Sequence, residues 1–141
     1  MNRDEIVLVA LAASNGALHS PVQVQKWLFL IDKKLGIHVD GPHFNFQPYN
    51  YGPFDKAIYE TLEKLAQENL VEIVKVRAWK EYALTDKGKE KGLMLLTSLP
   101  QRVNKYIYDL SAFVRKLSFT QLVSAIYKAY PEMRQNSVFQ G

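Results

Sequence analysis

Between residues 53 and 92 the hydrophobic period changes twice, and few folds accommodate such changes in so short a span. PFDKAIYETLEKLAQENL carries Phe54, Ile58, Leu62, Leu65 and Asn69 at helical spacing, the pattern of an amphipathic helix. VEIVKVR and WKEYALT follow, two β-rich runs joined by roughly two residues around Arg77 and Ala78, which is hairpin spacing. TDKGKEKGLMLL then returns to the helical period, starting at Thr85 or Asp86 and ending near Leu99-Pro100. A helix feeding directly into a tight hairpin sets a wing beside a helix, the arrangement of a winged helix-turn-helix.

The flanking segments also read as helices. Asn2 and Glu5 frame the start of a helix over residues 3–13, closed by Asn15-Gly16. Ser20, Pro21 and Gln23 open a second, with Val24, Trp27, Leu28, Ile31 and Leu35 as its apolar stripe and Gly36 as its stop. Lys26, Asp32, Lys33 and Lys34 fall off that stripe. Residues 36–52 make a connection far longer than the turn of about three or four residues in a plain helix-turn-helix. A short strand is expected over 44–48, and Gly52-Pro53 reads as the entry to the third helix, with Pro53 in its first position. Beyond Pro100, a helix over 101–116 sets Val103, Ile107, Leu110, Val114 and Leu117 in a heptad-like seam suited to intramolecular packing or a homodimer. Ser118 with Gln121 caps a sixth helix carrying Leu122, Val123, Ile126, Tyr127 and Tyr130, which Pro131 ends. The expected fold is mostly α with a small β-hairpin (α+β). A winged-helix domain over residues 1–99 carries appended C-terminal helices over 100–141, which pack on it or mediate dimerisation.

Composition narrows the chemistry. The chain of 141 residues has no cysteine, which excludes disulfides, thiolate metal sites and a cysteine nucleophile and fits a cytoplasmic setting. IVLVALAAS is far too short to span a bilayer, and MNRDE before it has the wrong charge for a signal peptide. The net charge of +4 is unevenly spread: six Lys/Arg face eight Asp/Glu in residues 1–69, and twelve face six in residues 70–141. A basic second half is compatible with an anionic partner and equally with ordinary solubility.

Two surfaces stand out. In the first, Lys56, Tyr59 and Lys64 of the third helix would approach the bases of double-stranded DNA while Lys75, Arg77 and Lys80 of the hairpin hold its phosphates. Glu60 and Glu63 share that helix face, so a plain solvated surface is the alternative there, and strand-edge lysines that guard against aggregation are the alternative at the hairpin. The second surface is FNFQPYNYGPF, whose Phe44, Phe46, Tyr49, Tyr51 and Phe54 would grip a partner protein or fold back over the core. His38, Asp40 and His43 are polar and close, but their spacing matches no metal signature. TDKGKEKG lacks the GxxxxGK[ST] pattern of a phosphate loop, and no hydrolase or dinucleotide motif occurs. No cofactor and no catalysis are expected.

WLFLIDKKLG, PYNYGPFDKAIYETLEKLAQENLVE and YALTDKGKE resemble the Panacea (SocA-like) domain family of phage-associated and antitoxin-type proteins. The resemblance spans residues 20–95. Lys26, Leu28, Phe29 and Leu30 stand in the helix motif, and Tyr51, Gly52, Pro53 and Phe54 form the turn motif. Trp27 is bulkier than the pattern, and the helices after Pro100 lie outside it. The resemblance implies an antitoxin or adaptor role, with DNA binding through the winged helix. The leading expectation is a regulatory or defence-associated protein that binds DNA through the third helix and hairpin. The alternative is an antitoxin or adaptor that binds a toxin or regulator protein through residues 44–54.

Overall fold

Three of the six helices begin on capping boxes, in which a side-chain oxygen takes a first-turn N–H and the third helical residue returns a bond. Asn2 and Glu5 open α1 (Arg3–Ala12), Ser20 and Gln23 open α2 (Pro21–Leu35), and Ser118 and Gln121 open α6 (Phe119–Ala129). The structure, a computed structural model, describes residues 1–139. After α2 come a 3-10 turn (Gly36–Val39) and an antiparallel pair, β1 (Gln47–Tyr49) and β2 (Gly52–Phe54). Next are α3 (Ala57–Gln67), a second antiparallel pair, β3 (Val71–Val76) with β4 (Trp79–Leu84), then α4 (Asp86–Ser98) and α5 (Gln101–Lys116). A second 3-10 turn at Pro131–Arg134 follows α6. The fold is mostly helical with small antiparallel pairs, an α+β arrangement.

The sharpest difference from the sequence reading lies at Gly52-Pro53-Phe54. These residues form β2, and the expected strand over 44–48 is centred later, at Gln47–Tyr49. Pro48 stands opposite Pro53. Neither has an N–H, so this must be the non-hydrogen-bonded pair of the ladder, flanked by Gln47 with Phe54 and Tyr49 with Gly52. Gly52, at φ +105°, makes the turn that brings the second strand back. The helix waits for Asp55, whose Oδ1 accepts the Ala57 N–H at 2.9 Å and whose Oδ2 accepts the Asn45 N–H at 2.8 Å. Asn69, expected in the helical stripe, instead adopts φ +61° beyond the helix end. There the Leu70 N–H bonds to Leu65 O at 2.9 Å and the Asn69 N–H to Ala66 O at 3.0 Å, a Schellman closure with Leu65 and Leu70 both buried.

α2 is the central helix, buried at every position from Val24 to Ile31. α1 packs against α4 and α3, while α5 and α6 pack against α2. The seam of α5 is used inside the chain: Val103, Ile107, Leu110 and Val114 are buried in the same cluster as Ile6, Trp27 and Leu62. A single-residue bridge ties the loop between α1 and α2 to β4, with His19 and Tyr82 exchanging two backbone bonds of 2.9 Å. Among the described residues no helix is long and apolar enough to cross a membrane.

Candidate functional site

The β1–β2 hairpin lies across α2 and is fastened at both ends. At one end the Gln25 amide pairs with the Asp55 backbone, donating to its carbonyl and accepting from its N–H, both at 3.0 Å. At the other, Asn50 O accepts the Val138 N–H at 2.9 Å and the Ser137 hydroxyl at 3.2 Å, and Ser137 in turn accepts the Tyr127 hydroxyl at 2.6 Å. These bonds hold an irregular aromatic segment as a fixed cover.

Under that cover lies Lys26, which the sequence stripe places outside the core and the structure buries to 3% exposure. Its Nζ donates to Pro53 O at 3.3 Å, and among the described residues no carboxylate pairs with it. Loss of water around the ammonium pulls its pKa from 10.5 down to about 8. The side chain borders a pocket of about 170 Å³ walled by Val22, Gln25, Tyr49, Gly52, Phe54 and Tyr59. Tyr49 stacks on Phe54 at 4.9 Å between ring centroids, Phe54 meets Tyr59 edge-on at 5.8 Å, and Tyr59 lies over Tyr82 at 6.3 Å. Burial pushes the Tyr59 hydroxyl up to about 12, so it stays protonated at neutral pH.

The aromatic segment divides into two roles. Phe44 is buried and Phe46 is half-buried against Phe29 and Phe44, so these two rings pack on the core. Tyr49 and Tyr51 remain 51% and 41% exposed, and Tyr51 touches Phe119 of α6 edge-on. Phe54 is half-buried between Tyr49 and Tyr59.

The residues expected to meet DNA are less well placed. Tyr59 is half-buried, packed between Phe54 and Tyr82. Lys64 is tied to Asp4 of α1 at 2.6 Å, and Lys80 to Glu63 of α3 at 3.0 Å. Each pair holds its lysine's pKa above the ordinary value, chiefly through the hydrogen bond to the carboxylate. Lys56 is exposed at the start of α3, but Glu60, Glu63 and Glu68 are exposed with it. Of the six, Lys56, Lys75 and Arg77 lie exposed with no carboxylate partner among the described residues, the last two at the hairpin.

His38, Asp40 and His43 do not converge: no group of three His, Cys, Asp or Glu able to hold a metal occurs among the described residues. The carboxylate that organises this loop is Asp32, which accepts the His43 N–H at 3.0 Å and the Phe44 N–H at 2.9 Å. Two further buried polar groups escape the sequence reading. His19 is fully buried with its ring 5.0 Å from that of Trp27, and His19 Nε2 and Trp27 Nε1 have no hydrogen-bond partner among the described residues. Burial lowers the His19 pKa to about 4, which keeps the ring neutral. The signal for Lys26 was present in the sequence: WLFLI is too continuous for a one-sided helix, so neighbours of that run are drawn inside. No family model, curated protein or solved structure matches the chain.

Proposed function

We propose that the chain is an antitoxin- or adaptor-type protein that grips a partner protein with the face around the β1–β2 hairpin, carried on a winged-helix frame. One observation carries this reading: exposed Tyr49 and Tyr51 stand on a fastened hairpin over a pocket that ends at a buried cation. Rigid aromatic rings beside a desolvated polar group have the makeup of a binding hot spot. The frame is supported by the order α1, His19 bridge, α2, α3, β3–β4, in which the bridge to Tyr82 stands where a winged helix has its first short strand. The resemblance of YGPF and its preceding helix to the Panacea group points the same way.

Co-expression with the product of a neighbouring reading frame, followed by size-exclusion chromatography, tests it. A stable complex is expected, and the double variant Tyr49→Ala, Tyr51→Ala should weaken it at least tenfold, as loss of hot-spot rings of about 2 kcal/mol does. A complex indifferent to the double variant would remove the hairpin from the interface.

A duplex-binding reading keeps one specific support: Lys75 and Arg77 at the tip of β3–β4 have no carboxylate partner among the described residues. Lysine and arginine there would hold phosphates without choosing sequence. If duplex DNA is a ligand, affinity falls steeply between about 50 and 200 mM salt, and Lys75→Ala with Arg77→Ala flattens that slope. A salt-independent affinity, or an unchanged slope in the double variant, excludes the phosphate contact.

A further inference from the structure

We infer that the pocket beneath the β1–β2 hairpin is a carboxylate-binding site in which the Lys26 ammonium receives an acidic group carried on a short apolar stem, an inference that rests on the partner-binding reading above. An ammonium has three N–H donors, and here one is spent on Pro53 O at a long 3.3 Å. Gln25, on the same pocket wall, is committed at both ends of its amide to Asp55. No carboxylate pairs with Lys26 among the described residues. A cation 97% removed from water therefore borders a cavity of about 170 Å³ with donors to spare. Buried charges in proteins are normally paired, because desolvation of a lone ion is costly.

The walls choose the ligand class. A carboxylate supplies one negative charge and two acceptor oxygens, which match one ammonium. No arginine or second lysine lines the pocket, so a phosphate dianion would be left half-compensated. Val22, Tyr49 and Phe54 offer apolar surface to a stem of one or two methylenes. At Gly52 a built Cβ would stand 3.5 Å from Lys26 Cε and 3.7 Å from its Nζ, so the absence of a side chain keeps the space beside the ammonium open. Tyr49 and Tyr51 at the mouth add contact area that a peptide can use and a free acid cannot. The same chemistry is found on an acidic side chain of a partner protein and on a small free acid, and the first is the expected source.

Nuclear magnetic resonance of the full chain separates these outcomes. Sodium propionate should shift the Lys26 Cε signal and the Gly52 amide, whereas propionamide, the neutral isostere, should not; this control needs no variant. In Lys26→Met the Gly52 shift should vanish. The capped peptide acetyl-Ala-Glu-Ala-amide should bind at least tenfold more tightly than propionate, and its Gln counterpart should not bind. Equal affinity for the Glu peptide and propionate would overturn the protein source while upholding the carboxylate site. Equal responses to propionate and propionamide, or a Gly52 shift that survives in Lys26→Met, would overturn the site itself. If the site fails while Tyr49→Ala, Tyr51→Ala still breaks the partner complex, the partner-binding reading stands without it.

Discussion

Gly88→Ala is expected to destabilise the fold by about 3 kcal/mol, measured as a lower urea midpoint with an unchanged slope. On an exposed helix the same change would help, since alanine is favoured over glycine by up to about 1 kcal/mol. Here space decides against it. A Cβ at Gly88 would stand 2.8 Å from the Leu70 carbonyl carbon and closer still to its oxygen. The obstacle is backbone, and that backbone cannot yield cheaply. Leu70 O accepts the Thr85 N–H at 3.1 Å, Thr85 Oγ1 donates to Asn69 O at 2.8 Å, and Leu70 N–H closes the end of α3. Moving Leu70 would therefore break the joint between α3, β3 and the start of α4 together. Gly92→Ala meets Leu8 O at 2.7 Å and the Ala12 Cβ at 2.8 Å, the contact that lets α4 lie close on α1. Its cost should be smaller, because the overlap is shallower: the nearest backbone atom, Leu8 O, stands at 2.7 Å, and the Leu8 carbonyl carbon at 3.3 Å against 2.8 Å for that of Leu70. Glu90→Ala, exposed on the same helix, should stay within about 0.5 kcal/mol. An unchanged midpoint for Gly88→Ala would mean that α4 does not approach Leu70 as described.

Gly88 also shows what kinds of information a sequence carries openly. Its tract, TDKGKEKG, reads locally as a charged first helical turn, and Thr85 indeed caps it by accepting the Gly88 N–H at 3.0 Å. Capping boxes, the two-residue link at Arg77 and Ala78, and the middle of the α3 stripe at Ile58, Leu62 and Leu65 are likewise short-range patterns, and each appears in the structure where the residues place it, whereas the two ends of that stripe, Phe54 and Asn69, fall outside the helix. Gly52-Pro53 is different, because the pair is as good a strand turn as a helix entry. What selects the strand is Gln25 gripping the Asp55 backbone from 30 residues away, and no local pattern contains that partner. The ion pairing on the expected DNA face is hidden from the sequence for the same reason. The lysines of α3 and β4 are visible in the sequence, but the Asp4 and Glu63 that neutralise Lys64 and Lys80 come from the packing of α1 and α3. The aromatic tract, too, reads as a single feature, and only the fold divides it into core rings at Phe44 and Phe46 and surface rings at Tyr49 and Tyr51.

Lys26→Met should stabilise the free protein by about 2 kcal/mol at neutral pH and abolish one component of its pH dependence. The folded-state pKa of Lys26 is about 8 against 10.5 for the unfolded chain, so at pH 7 the fold bears a cost of about 3 kcal/mol for holding the ammonium out of water. Methionine keeps an unbranched apolar stem of similar length and removes that cost. It also leaves Pro53 O without its donor, which at 3.3 Å returns about 1 kcal/mol. The difference corresponds to a rise of roughly 5–10 °C in Tm for a chain of this size. The sign with pH follows from proton binding. Between pH 8 and 10.5 the unfolded chain still holds the lysine proton and the folded chain has lost it, so native stability climbs across that window and is flat below it. Tyr59, with its folded pKa near 12 against 10.0 unfolded, pulls the other way from about pH 10 upward. Both chains contain Tyr59, so the wild type minus Lys26→Met difference cancels it and isolates the lysine. That difference should shrink from about 2 kcal/mol at pH 7 as the pH passes 8, and reverse near pH 10 as the Pro53 bond becomes the only remaining distinction. A variant less stable than wild type at pH 7 would show that the ammonium is compensated in the free protein. The pocket beneath the hairpin would then have no unpaired cation to offer a ligand.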